Sequence, residues 1–150
     1  LRKYYSDPAI TTDVIVGFPG ESEEEFRVTQ EFVSKVQFYE MHIFKYSRRQ
    51  GTVAANMENQ LTEAQKARRS ALLMEAEKQM SRDYRKKFIG RGAEVLFEEK
   101  KEIDGEIYWV GHTPQYVKAA KRSDGTEDLC NRIVRGTIAG FLDEDIMLLK

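Results

Sequence analysis

Thr11-Thr12-Asp13-Val14-Ile15-Val16-Gly17-Phe18-Pro19-Gly20-Glu21-Ser22 sets the fold of the first part of the chain. Val14-Ile15-Val16 is an apolar, β-branched run of the kind found in a strand covered on both faces. It stops at Gly17 and Phe18-Pro19-Gly20, where the backbone must turn. Ser22-Glu23-Glu24-Glu25 then fits a capping box: the Ser22 hydroxyl accepts from the backbone N–H of residue 25, and the Glu25 carboxylate reaches back to that of Ser22. The helix that follows carries Phe26, Thr29, Phe32, Val33 and Val36 on one face. Strand, glycine turn and capped helix are half of a β-α-β unit, and the loop lies at the strand's carboxyl end, where α/β proteins bind ligands. Spacing alone favours an ordinary β-α turn with no ligand.

The residues themselves say more. Asp13 to Glu21 is similar to the GxIxGxxE-type segment on the fifth barrel strand of radical S-adenosylmethionine (SAM) enzymes, in the TDxIxGFPGE form of the tRNA methylthiotransferases; Asp13 stands where the looser pattern has glycine. Downstream, His42-Ile43-Phe44-Lys45-Tyr46-Ser47-Arg48-Arg49-Gln50-Gly51-Thr52-Val53-Ala54-Ala55 resembles the HxFxYSxRxGTxAA segment of the same family. Both occur in that family's order and spacing, and the remainder reads as its C-terminal half. The resemblance covers essentially all 150 residues.

Composition sets outer bounds. With 41% hydrophobic and 33% charged residues the chain suits a soluble globular fold of one domain or two small ones, and no apolar run approaches a membrane span. The chain opens on Leu1 without a signal-peptide pattern and reads as a piece of something longer. Cys130 is the single cysteine, which rules out an internal disulfide framework and by itself holds no metal cluster; a cytoplasmic location is expected. The net charge of −1 is unevenly placed: residues 61–87 carry 8 Lys and Arg against 4 Asp and Glu, whereas acidic residues outnumber basic ones on either side.

Leu1 to Tyr5 is expected to finish a helix that Ser6-Asp7-Pro8 breaks. Tyr39 to Phe44 reads as a second strand, parallel to the first through a right-handed crossover. Two strands and one helix leave part of a parallel pair uncovered, so apolar surface and self-association are expected of residues 1–46. Thr62-Glu63-Ala64-Gln65 is a second capping box, opening a helix of roughly 40 Å with Leu72, Ala76, Met80, Tyr84 and Phe88 as its packed stripe and Gly90 at its end. Arg68, Arg69, Arg82, Arg85, Lys86 and Lys87 flank the stripe, as a solvated face or as contacts to RNA phosphate. From Ala93 onward the pattern is all β: Val95-Leu96-Phe97, Ile107 to Val110, Tyr116 to Lys121, Ile133 to Phe141 and Ile146 to Leu149, with turns at Asp104-Gly105 and Asp124-Gly125. Five short strands suggest a small closed barrel. Cys130 is expected to be a packed or half-buried small residue.

The resemblance turns these segments into expectations. The fold class is α/β plus all-β: residues 1–60 as the C-terminal part of an incomplete (β/α) radical SAM barrel, residues 61–87 as a linking helix, and residues 88–150 as a five-stranded, OB-like, RNA-binding TRAM barrel. The implied activity of the whole enzyme uses SAM and two 4Fe-4S clusters to place a methylthio group on C2 of a modified adenosine beside the tRNA anticodon. His42 to Ala55 is most similar to the N6-threonylcarbamoyladenosine enzymes. The isopentenyladenosine enzymes are the near alternative and the ribosomal-protein methylthiotransferases lie further off; a non-catalytic RNA-binding fragment is the reading from another class. The family's CxxxCxxC triplet is not in these residues, so no catalytic residue and no metal ligand is assigned, and the chain alone is expected to be inactive. Expected at the cofactor are Ile15 and Gly17 packing against adenine, Glu21 either contacting ligand or complementing the helix dipole, and Tyr46 and Ser47 at the same mouth. Arg48 and Arg49 there, and Tyr116, Lys118, Lys121 and Arg122 on the barrel, are the expected RNA contacts, the plain alternative for the last group being a solvated strand. His42 is expected to be packed.

Overall fold

The computed structural model describes residues 1–150. In chain order it contains β1 (Thr11–Val16), α1 (Glu23–Val36), β2 (Glu40–Lys45), a 3-10 turn at Ala54–Asn56, α2 (Glu63–Lys86), β3 (Gly92–Ile103), β4 (Glu106–His112), β5 (Lys118–Arg122), β6 (Arg132–Phe141) and β7 (Met147–Leu149). Its contacts divide it into two compact units, Ala9–Ser81, and Leu1–Pro8 with Arg82–Lys150.

In the first unit β1 and β2 run parallel, in register from Thr11 opposite Glu40 to Val16 opposite Lys45. Their alternation sends Val14, Val16, Met41 and Ile43 into a core with Phe26 and Val33 of α1 and Leu73 and Met80 of α2. On the other face Ile15 and Phe44, directly opposite one another, are 57% and 54% exposed. Ser22 and Glu25 close the capping box from both sides, and Thr62 and Gln65 close the second. Phe32 departs from the expected α1 face: it is 58% exposed, because the buried arc is already filled by Phe26 and Val33, seven residues apart on one line of the helix.

Met80, Tyr84 and Phe88 of the expected stripe are buried, but its start on α2 differs from the expected course. Leu73 is buried where Leu72 was expected; Arg69 and Arg85, expected on the flanks, are buried, and so is Lys66. A strict four-residue spacing drifts around a 3.6-residue helix, so the core-facing line alternates steps of three and four through Lys66, Arg69, Leu73, the half-buried Ala76 and Met80. Leu1 to Tyr5 forms one hydrogen-bonded turn instead of a helix end, with the amides of Tyr4 and Tyr5 both on the Leu1 carbonyl.

The second unit holds five strands in the order β3-β4-β5-β7-β6, closed into a barrel. Asp104 and Gly105 take φ of 51° and 80°, as a type I′ hairpin demands. At Gly111 the strands approach so closely that an added Cβ would lie 1.9 Å from the Leu96 carbonyl, beside the bulge between Phe97 and Glu99. β5 starts two residues later than expected: Tyr116, at φ 64°, closes a turn on Thr113, which left-handed backbone makes possible and a strand does not. Cys130 is exposed, its Sγ donating to the Glu98 carbonyl, and so is not the packed residue expected of it.

Candidate functional site

The loop after β1 is built around one carboxylate. Gly17 and Gly20 take φ of 72° and 84°, which turn the chain so that Oε2 of Glu21 accepts from the Gly17 N–H at 2.6 Å. The same oxygen accepts from Nη1 of Arg69 at 2.6 Å; Nη1 also reaches the Glu21 carbonyl at 2.9 Å, and Nη2 reaches Glu23 at 2.8 Å. The guanidinium lies 5.2 Å from the centre of the Phe26 ring and Arg69 is 1% exposed. Burial opposes its charge, but the bonds to Glu23 and Glu21 outweigh burial and raise its pKa, while those of Arg68 and Arg69 hold Glu23 below the usual carboxylate range.

Lys66 closes the loop from α2. A Cβ on Gly17 would fall 2.4 Å from Lys66 Cγ, so the missing side chain is what lets this buried stem pass. Its ammonium binds Glu63 at 2.9 Å and sits 5.4 Å from the centre of the Tyr46 ring. Tyr46 meets Phe18 edge-on at 5.3 Å, donates its N–H to the Val16 carbonyl at 2.9 Å, and keeps a buried hydroxyl without a hydrogen-bond partner.

The structure thus gathers Gly17, Glu21 and Tyr46 about one loop, with Ile15 on the adjoining open strand face. Ser47, Arg48 and Arg49 follow β2 on the surface, and Arg48 Nε is engaged by the Ala55 carbonyl at 2.8 Å. His42 is exposed on the same open face as Phe44, against the packed position expected, because the period of a strand sends residues 42 and 44 away from α1. Sequence reasoning passed over Lys66 and placed Arg69 on the flank of the α2 stripe, so the place of both beside this loop was missed. Their steps of three and four from Leu73 were the available signal, hidden because a search for apolar residues passes over charged ones.

In the second unit Tyr116 stacks on His112 with ring centres 5.0 Å apart and planes at 27°. Lys118 pairs in register with His112, and Lys121 with Trp109, both half-buried. Arg122 is ion-paired with Glu106. Alternation puts Lys118 and Arg122 on one face of β5 and Lys121 on the other.

A β-α-β unit with its glycine loop at the carboxyl ends of two parallel strands, and a small closed barrel later in the chain, define a mixed α/β protein with a β module. No family model matches the chain. Over 144 residues, 94% of the chain, it is 41% identical to the threonylcarbamoyladenosine tRNA methylthiotransferase MtaB of Bacillus subtilis, spanning 32% of that protein. It is 40% identical over 108 residues to the tRNA-2-methylthio-N(6)-dimethylallyladenosine synthase of Acetivibrio thermocellus, and 41% identical over 122 residues to the ribosomal protein uS12 methylthiotransferase RimO of Clostridium botulinum. These matches cover 72% and 73% of the chain, and 22% and 27% of those relatives. The chain belongs to the radical SAM methylthiotransferase family, and it spans about a third or less of the length of these relatives.

Proposed function

We propose that this chain is part of an enzyme that adds a methylthio group to C2 of N6-threonylcarbamoyladenosine beside the tRNA anticodon. The observation that carries the reading is the 41% identity with an MtaB protein over 94% of the chain. The isopentenyladenosine substrate is the second reading, supported by the 40% identity with a dimethylallyladenosine synthase. Residues 1–60 act as the end of the radical SAM barrel, 61–87 as the linking helix and 88–150 as an OB-like TRAM module.

Bound SAM would supply the radical-generating cleavage together with 4Fe-4S clusters, whose cysteine ligands come from outside these 150 residues. The open face supports the fit: Ile15 and Phe44 offer exposed apolar surface to a flat adenine, and Ser47 an exposed hydroxyl. The Glu21 carboxylate is already engaged by the Gly17 N–H and Arg69, which supports its holding the loop. The Lys66 stem beside Gly17 gives that glycine a packing role as well. The surrounding strands of the barrel would cover the open face, and these 150 residues alone would be inactive. Arg48, Arg49, Tyr116, Lys118, Lys121 and Arg122 are the proposed contacts to tRNA, and a cytoplasmic location follows from that substrate.

Nucleoside mass spectrometry of tRNA from cells lacking the gene tests the substrate. Loss of the methylthio group from the threonylcarbamoyl nucleoside is expected; its loss from the isopentenyl nucleoside instead selects the second reading, and no change in either overturns both. Salt tests the RNA contacts: Lys118→Ala, Lys121→Ala and Arg122→Ala should each weaken tRNA binding and lower the slope of log K against log[salt] by roughly 0.7–0.9. Lys100→Ala, whose ammonium lies 4.7 Å over the Trp109 ring, is the control.

A further inference from the structure

Ile133, Leu96, His112 and Lys118 form one row across β6, β3, β4 and β5 by register. Leu96 and Ile133 are 41% and 66% exposed, side by side on the sheet surface. His112 continues the row and carries Tyr116 stacked upon it, fixed by the turn in which the Tyr116 N–H donates to the Thr113 carbonyl at 2.9 Å. Leu96, Ile133, His112 and Tyr116 bound a cavity of about 320 Å³ whose rim includes Glu94 and Glu98. Oε2 of Glu98 lies 3.0 Å from His112 Nδ1, and Oε1 of Glu94 accepts from Arg135 at 2.7 Å.

We infer that this cavity is a slot for one unstacked RNA base bearing an exocyclic amino group. The inference rests on the RNA-binding reading of the barrel and deepens it. A cavity of this size lies at the bottom of the range for small-molecule sites, and its walls, two aliphatic side chains and a pair of stacked rings, suit a flat heteroaromatic ring. Carboxylates only accept hydrogen bonds, and each of these two spends one oxygen on a protein partner and keeps lone pairs for a ligand. That rim favours the amino edges of adenine and cytosine over uracil, which presents two carbonyl oxygens. Arg135 is ion-paired with Glu94, and Lys118, next to His112 in register, offers a cation to the phosphate attached to the bound base.

Fluorescence anisotropy of the 150-residue chain with labelled oligoadenylate, oligocytidylate and oligouridylate tests this. Oligoadenylate and oligocytidylate should bind about tenfold more tightly than oligouridylate, a margin that one base-specific contact supplies. Tyr116→Ala should weaken oligoadenylate binding about tenfold with the salt slope unchanged, since stacking releases no counterions. Glu98→Gln should shrink the preference over oligouridylate, because its amide donates as well as accepts. Circular dichroism and Trp109 fluorescence verify that each variant is folded. Equal affinity for all three oligonucleotides, or no loss with both Tyr116→Ala and Ile133→Ser, overturns the slot. If Lys118→Ala still weakens binding in that case, RNA binding by the barrel survives the failure of the slot; if the chain binds none of the oligonucleotides and no tRNA at low salt, both fall. A concentration-dependent dimer abolished by Ile133→Ser but indifferent to RNA overturns the slot in favour of self-association.

Discussion

Arg69 and Glu21, separated by 48 residues, meet at one oxygen: Nη1 of Arg69 and the N–H of Gly17 both donate to Glu21 Oε2, each at 2.6 Å. The turn after β1 is therefore held by α2 as well as by its own sequence. With the arginine gone, the half-buried Glu21 carboxylate would have one donor fewer.

Arg69→Met should destabilise the chain by about 3 kcal/mol, since removing one partner of a buried pair strands the other. Glu21→Gln should cost less, because its amide oxygen still accepts from Gly17 and Arg69. Urea denaturation of both single variants and the double variant measures the coupling. Additive losses would show that the two residues act independently.

Gly17→Ala meets two separate penalties. A φ of 72° costs an L-residue about 1–2 kcal/mol, and the new Cβ would lie 2.4 Å from Lys66 Cγ. On a Lys66→Ala background the clash with Cγ is gone, leaving the backbone term and a milder 3.3 Å approach to the Cβ of residue 66. The substitution should therefore cost less there than in the parent chain, and equal costs in the two backgrounds would place the whole effect in the backbone.

Acid should loosen the start of α1. Glu23, Glu24 and Glu25 are held below the usual carboxylate range by hydrogen bonds from Arg68 and Arg69, from Arg27, and from the N–H and hydroxyl of Ser22 respectively. Each binds fewer protons folded than unfolded, so its contribution is complete above the unfolded pKa of about 4.3 and is lost as pH falls through the lower folded value. Denaturation midpoints should hold steady from neutral pH down to about 5 and then drop. Glu25→Gln should flatten that drop, and an unchanged profile would show that the capping box does not titrate.

Ile15 and Phe44 should make the chain associate. They lie opposite one another, 57% and 54% exposed, on a strand pair whose other face is packed. Light scattering over a concentration series should show growth in mass that Ile15→Lys with Phe44→Glu reduces. A monomer at every concentration would contradict this, as would association insensitive to the pair.

Both capping boxes, the parallel β-α-β order, the type I′ turn at Asp104-Gly105 and the five strands of the barrel were legible along the chain. Each depends on neighbours a few residues apart: a hydroxyl three residues from a carboxylate, an aspartate before a glycine, a period of two. The family was legible for a similar reason, since Asp13 to Glu21 and His42 to Ala55 are short continuous motifs. What only the tertiary structure decided concerns partners distant in sequence. Arg69 became a buried clasp because the glutamates that bond it arrive on another element, and Lys66 lies beside Gly17 because a glycine 49 positions earlier leaves room for its stem. Tyr116 left the strand pattern for a turn and met His112, and Phe32 went to the surface when Phe26 and Val33 filled the buried arc of α1. Local propensity gives each segment its form, whereas the burial of a charge or the emptiness of a face depends on what packs against it, and no window of sequence contains both sides of that contact.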